Sequence, residues 1–437
     1  MKFGLEIEKF LFDLKHNRPS DGVFRFIDAL SDFELHESSA PINQVTNEFV
    51  LNLVEIVTEP STAPLDVLKG YIENYLRLKS VALREAATLV PLGSMPMEYQ
   101  PHMTPKWSYF VQNCILDQKI QSSWMLNKDT PLTPAGNCAG MHVHFEVETA
   151  GEYLFSNREL QDKFNMGLML TPMIAFGSSP YFFGRHEASS MRGIRYFEGV
   201  YKNYPMNGAL PPVMNSSQEV LLFFQKSSAN WIELGKGIGL PEEDLSRLVL
   251  KKGANWNPIR WNRTWNTIEL RCLESDRLDF DCSKFIWATA VMKRMDLKGE
   301  GLKCVPIQSS AQVDKAMLDE CFNISGNEVA ILSSEGIQDI FKRAMHKGLK
   351  DPIVEQYLYR VADFARPSVD PSCLPIFMIL EDVLISKGTS SELLLERSER
   401  LEKISNEQAV DLVHFSIESE KKILTSFLDH FPELSLF

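Results

Sequence analysis

The stretch Phe3-Gly4-Leu5-Glu6-Ile7-Glu8 alternates apolar and polar positions, and its reading decides the fold. A period of two marks a β-strand with one buried face, so Glu6 and Glu8 point the same way. Leu5, Ile7 and Phe10 are expected to enter the core. Two distant strings repeat the device: Gly140-Met141-His142-Val143-His144 and Thr267-Ile268-Glu269-Leu270-Arg271. Together they predict a sheet on whose one face carboxylates, imidazoles and a guanidinium gather. That combination suits divalent cations and phosphate.

The bulk composition sets limits on function. A chain of 437 residues can bury a large core, as two or three domains or one large domain with an appended bundle. The net charge of −13 argues against nonspecific nucleic-acid binding, which needs a basic surface. It is compatible with a nucleotide, because bound cations invert the local sign of a site. No stretch of 18 or more uncharged apolar residues appears, so no membrane span is expected. No charged and then apolar leader precedes the first motif, so a cleaved signal peptide is not expected either. The seven cysteines are odd in number and form no CxxC pair, which favours reduced thiols and a cytoplasmic setting.

Along the chain, Phe3 to Asp13 reads as a strand. Thr46 or Asn47 is expected to cap a short helix from Phe49 to Leu53, followed by a strand from Val54 to Thr58. Leu65 to Ala87 has helical spacing, and Val90 to Met95 is strand-like. Pro96 to Trp107 reads as a loop over the site. Residues 108–127 are compatible with a helix. Met141 to Glu148 alternates as a strand, and Asn157 to Phe176 reads as a helix interrupted at Pro172. Pro180 to Pro212 has the Gly, Arg, Tyr and Pro content of an ordered functional loop. Gln218 to Leu234 reads as a helix, with Gly235 to Gly239 as its end and turn. Thr267 to Leu273 reads as a strand. From Lys284 onward the spacing is helical to the end. The expected division is a catalytic α+β body over residues 1–300 and a helical C-terminal region over 301–437.

Each constellation has a plain structural alternative. Glu6 and Glu8 repel unless a cation intervenes, yet two glutamates also suit a solvated strand face. His142 and His144 have a common metal-ligand spacing, and equally that of a hydrogen-bonded histidine pair. Glu269 and Arg271 are a surface ion pair of small worth, or a metal ligand beside a phosphate-binding fork. Glu48 and Glu55 lie seven apart around the expected helix-to-strand junction, and Glu48 near a helix start is also what a helix dipole favours without any function. Arg185, Arg192 and Arg195 crowd one loop with His186 and Glu187. There is no Walker A string and no GxGxxG ahead of a helix.

In this order the strings resemble the glutamate–cysteine ligase type 2, or carboxylate–amine ligase, family, which shares the catalytic sheet of glutamine synthetase. The opening strand is similar to the family's Gly-x-Glu-x-Glu. Glu48 to Thr58 resembles its second acidic segment, and Gly140 to His144 its histidine strand. Ser178 to Arg185 with Ala188 to Arg192 and Pro205 to Pro212 resembles its substrate loop. Ile259-Arg260 and Thr267 to Arg271 resemble its closing strand. The resemblance spans residues 3–275.

What the resemblance implies is an α+β, glutamine-synthetase-like antiparallel sheet with helices on its outer face, plus a C-terminal helical extension. It implies an ATP-dependent ligase that joins a carboxylate, glutamate first of all, to cysteine or another amine through an acyl phosphate. Glu8, Glu48 and Glu55 would hold one Mg²⁺ or Mn²⁺, and Glu6, His142 and Glu269 a second. Arg271 would neutralise the transferred phosphoryl group. Arg192 would meet the acid's carboxylate with Arg260 nearby, and His144 would be a further substrate contact. The implied partners are small amino-acid substrates, with no nucleic acid or membrane; a homo-oligomer is left open. Two other readings stay open here: a metal-dependent hydrolase, and a ligase-like binding protein without turnover.

Overall fold

Strand β1 (Phe3–Asp13) is the spine of an eight-stranded sheet, because four other strands pair with it. The computed structural model describes residues 1–29, 45–116, 134–149, 151, 157–186, 193, 204–252, 255–296, 301–307 and 312–431. One edge of β1 pairs with β4 (Leu53–Val57) and then β2 (Arg18–Pro19). The other pairs with β6 (Gly140–Glu146) and then β5 (Ala87–Val90). Beyond these lie β3 (Val45–Asn47) next to β4, and β10 (Thr267–Glu274) then β9 (Ile259–Asn262) next to β6. Every pairing in this sheet is antiparallel. The expected fold class, an α+β antiparallel sheet backed by helices, is the one observed.

The outer face of the sheet is apolar and covered by helices. Phe3, Leu5, Ile7 and Leu11 of β1, with Met141, Val143 and Phe145 of β6, pack in the main core with residues of the helices Pro64–Arg84, Glu159–Leu170 and Leu278–Met295. Gly167 lets the second of these come close, since a Cβ there would lie 2.7 Å from Ile259 Cδ1. Pro172 ends this helix as expected: Thr171–Ala175 continues as a tighter 3₁₀ turn.

Lys9 is the exception on that face. It is fully buried, with Nζ donating to the Asp276 carbonyl and pairing with Asp281 Oδ2 at 2.7 Å. Tyr71 donates to the same carboxylate at 3.0 Å, while Lys284 pairs with Asp276 at 3.1 Å. This closed network ties β1 to the turn that follows β10.

Three local expectations are corrected. The helix from Phe49 to Leu53 is absent; instead β3 and β4 form a hairpin, with Val45↔Ile56 and Asn47↔Val54 in register. The backbone there is satisfied from outside, as Leu51 N–H bonds to the His102 carbonyl and the Asn52 carbonyl accepts from Leu11 N–H. The strand expected at Val90 to Met95 lies earlier, at Ala87–Val90, where it can pair with Phe10 to Asp13. Residues after 300 are not wholly helical: β11 (Lys303–Pro306), β12 (Ile324–Ser325) and β13 (Glu328–Ile331) form a small separate sheet.

Phe10 also falls on the face opposite the one expected. By alternation it shares a face with Glu6 and Glu8. It is nevertheless buried, because a second core of Phe10, Phe12, Leu53, Val90, Met95, Met97 and Tyr181 is capped by Leu394, Leu395, Leu412 and Val413. The capping residues belong to the C-terminal helices Ser390–Arg397 and Asn406–His430. The C-terminal helices therefore cover the part of the acidic face around Phe10 and Phe12.

Replacing Lys9→Met removes one partner of a buried pair and should cost roughly 3–5 kcal/mol of unfolding free energy in urea at pH 8. Burial raises the Asp281 carboxyl to about 6 even with Lys9 and Lys284 beside it. Below that value the carboxyl takes a proton and needs Lys9 less. The loss should therefore shrink at pH 5; an equal loss at both pH values would count against this account.

Candidate active site

Register brings the sequence-selected side chains together on the polar face of the sheet. Glu8 stands directly opposite Glu55, Glu6 opposite His142, and Glu269 opposite both His144 and Arg260. Like charges facing each other across strands are destabilising, so the Glu8–Glu55 pair asks for a compensating cation. Two trios offer one. Ligand atoms of Glu6, His142 and Glu269 all lie within 4.8 Å of one another, and so do those of Glu8, Glu55 and His142.

His142 joins the two trios through its two ring nitrogens. Nδ1 is 3.2 Å from Glu6 and 3.8 Å from Glu269, while Nε2 is 3.9 Å from Glu8. Burial, reinforced by the Arg271 cation, lowers the His142 imidazole to about 4. It is thus neutral near pH 7, the form that can ligate a metal. His144 behaves oppositely. Burial pulls it down, but the Glu6 and Glu269 carboxylates outweigh that and raise it. Its Nε2 lies 3.4 Å from Glu6, and its Nδ1 is 3.1 Å from Thr267 Oγ1.

Glu269 is completely buried and held by two arginines. Arg260 Nε donates to one carboxylate oxygen at 2.6 Å and Arg271 Nη1 to the other at 2.8 Å. Burial alone would raise this carboxyl, but Arg260, Arg271 and His144 keep it well below the usual carboxylate range. Burial would likewise raise Glu6, yet His144 and His142 lower it. Both are therefore ionised at neutral pH. The pairing of β10 with β6 shifts register between Leu270 and Leu273, so Arg271 sits in a β-bulge. Arg271 follows Glu269 by two residues, and its guanidinium turns to that carboxylate.

The donor set fits a hard divalent cation: carboxylate oxygens in the majority, with one imidazole nitrogen. Glu48 stands outside both trios. It follows β3, and its carboxylate accepts a hydrogen bond from Tyr109, whose hydroxyl is pushed well up by burial and by Glu48, Glu55 and Glu8. Arg192 and Arg195 fall outside the described residues, whereas Arg185 lies in the short β7–β8 hairpin (Tyr181–Phe182 and Arg185–His186) and is exposed. That hairpin is fastened to the C-terminal region, with His186 N–H bonding to Glu402 O and Ile404 N–H to Gly184 O.

Sequence reading missed Tyr109, Asn262 and Thr267. Asn262 Nδ2 reaches Glu269 at 3.4 Å. Thr267 was within reach of the alternation rule, since 267, 269 and 271 share a parity. No local signal points to Tyr109, which comes from the helix Trp107–Leu116.

An antiparallel sheet presenting this cluster on one face defines a glutamine-synthetase-like ligase fold. The chain matches glutamate-cysteine ligase family 2 over residues 2–233, a little over half its length, and it belongs to that family. Among solved structures it is similar to a glutamate–cysteine ligase from Francisella tularensis determined in complex with AMP. The identity is 14% and the TM-score 0.57, covering 96% of this chain and 88% of that one. It is also similar to a bifunctional glutathione synthetase from Pasteurella multocida, at 11% identity and TM-score 0.53. There the match covers 96% of this chain but 52% of the other, so this chain spans about half that protein's length. No curated protein matches it in sequence. Among the described residues no helix is long and apolar enough to cross a membrane, and all seven cysteines are buried thiols.

The electrostatics predict opposite shifts for the two histidines. In an NMR pH titration, His142 should protonate near 4 and His144 above 6.5. Glu269→Gln removes negative charge beside His144 and should lower its midpoint. An unchanged or raised midpoint would overturn this picture of the site.

Proposed function

We propose that this protein is an ATP- and divalent-cation-dependent ligase that joins a carboxylate, glutamate first among candidates, to cysteine or another small amine. The observation that carries the reading is the trio Glu6, His142 and Glu269 with Arg271 bonded to Glu269, on one sheet face. Family membership supports it, and so does the AMP bound in the Francisella relative. Glu6, His142 and Glu269 would hold one Mg²⁺ or Mn²⁺, and Glu8 and Glu55, with Glu48 adjacent, a second; such ions neutralise phosphate oxygens and hold them in line.

The chemistry follows from what amide formation needs. A carboxylate is a poor electrophile, and condensation with an amine in water is uphill. Attack of a carboxylate oxygen on the γ-phosphorus of ATP releases ADP and gives an acyl phosphate. The amine nitrogen then attacks the acyl carbon, loses a proton and expels phosphate. Arg271, anchored at one nitrogen by Glu269, is the cation for the transferring oxygens. Arg260 is engaged with Glu269, and its part is to hold that carboxylate. The acid's own carboxylate is assigned to Arg192 on the sequence motif alone, and His144 remains a substrate contact. Residues 1–300 form the catalytic body in this reading. The buried thiols suit a cytoplasmic enzyme.

The test is ADP release in a screen of acid and amine pairs, with mass spectrometry of the product. Release should require both substrates; metal-dependent hydrolysis without nucleotide would sink the ligase reading. Glu269→Gln and His142→Ala should abolish ADP release while circular dichroism stays unchanged. Arg271→Ala should lower kcat by about a hundredfold to a thousandfold. Arg192→Ala should chiefly raise KM for the acid, and an unaltered acid KM would remove it from the site.

A further inference from the structure

Among the described tryptophans only Trp265 is largely open to solvent, at 58% exposure. It occupies the turn between β9 and β10. Its ring centroid is 5.4 Å from that of His144, at an interplanar angle of 60°. His144 faces Glu6, so this contact places the indole on the acidic side of the sheet.

The turn holding Trp265 is clamped. Asn262 Oδ1 accepts from the N–H groups of Thr264 (3.2 Å) and Trp265 (3.4 Å). Asn266 adopts φ +50°, a left-handed conformation that asparagine tolerates better than most residues. Its Nδ2 donates to the carbonyls of Val147 (2.7 Å) and Thr149 (2.9 Å), and its Oδ1 accepts from Trp261 Nε1 at 3.2 Å. An exposed indole forgoes burial that a large aromatic ring would otherwise gain. Here a rigid hairpin holds that ring out in solvent beside the site.

Position narrows the ligand. Trp265 lies in the turn ahead of the strand that carries Glu269 and Arg271, and the His144 ring it touches has its Nε2 3.4 Å from Glu6, so the indole borders the acidic cluster. A flat ring system joined to a phosphate chain meets both features, with its ring on the indole and its phosphates toward Arg271 and His142.

We infer that Trp265 is the platform on which the base of the nucleotide stacks. The inference rests on the ATP-dependent reading above and names the base-binding part of that site. Stacking of a base on an aromatic side chain is sequence-tolerant and sensitive to alanine substitution. The experiment is calorimetric titration of the full chain, with Mg²⁺ present, by ADP and separately by inorganic tripolyphosphate. Trp265→Ala should weaken ADP binding about tenfold or more and leave tripolyphosphate binding unchanged, with Trp265→Phe recovering most of the loss. Equal ADP affinity in Trp265→Ala, or an equal loss for both ligands, would overturn the platform. A wild-type protein that binds neither ligand would overturn the nucleotide reading itself. One that binds ADP indifferently to Trp265 overturns the platform alone.

Discussion

The antiparallel register of β1 between β4 and β6 is the constraint on which the site depends. It sets Glu8 against Glu55 and Glu6 against His142 on one face, while Leu5 and Ile7 enter the helix-covered core. Slipping one residue would turn the carboxylates into the core and the leucine and isoleucine into the site. Hydrophobic burial on the outer face therefore holds the charged face in place. The Lys9 network adds to this by joining β1 to the turn after β10, the strand that carries Glu269 and Arg271.

The concentration of charge is balanced unevenly, and the imbalance has consequences. Glu269 has two arginines and is ionised despite complete burial. Glu8 accepts from the backbone N–H of Gly140 and faces Glu55 across the sheet. Two histidines separated by one residue are driven in opposite directions, His142 towards the neutral form and His144 towards the charged one. Neighbouring charges cause the difference, since both rings are buried. One strand thus carries two imidazoles whose proton affinities are driven apart by their neighbours.

The C-terminal helices have a definite physical place in this arrangement. They bury the apolar continuation of the acidic face at Phe10 and Phe12, and they anchor the β7–β8 hairpin through residues 402–404. That hairpin opens the loop whose sequence resembles the family's substrate loop. The chain after residue 300 is thereby joined to the eight-stranded sheet through a core and to the β7–β8 hairpin through backbone hydrogen bonds.

Much of this was legible in the sequence, for physical reasons that can be named. Period-two alternation in Phe3 to Glu8, Met141 to Phe145 and Thr267 to Arg271 determined the strands and which polar residues share a face. That was enough to select Glu6, Glu8, His142, Glu269 and Arg271. Local pattern could not decide the hairpin at Val45 to Val57, because its backbone partners, Leu11 and His102, are distant in sequence. Nor could it place Phe10, whose burial on the polar face depends on helices about 400 residues away in sequence. Glu48 shows the same limit: the family resemblance grouped it with Glu55, and only the tertiary structure shows that its carboxylate accepts a hydrogen bond from Tyr109. Sequence alone determined the chemistry available to this protein. Only the pairing of strands decided which groups meet, because cross-strand distances are set by register and not by spacing along the chain.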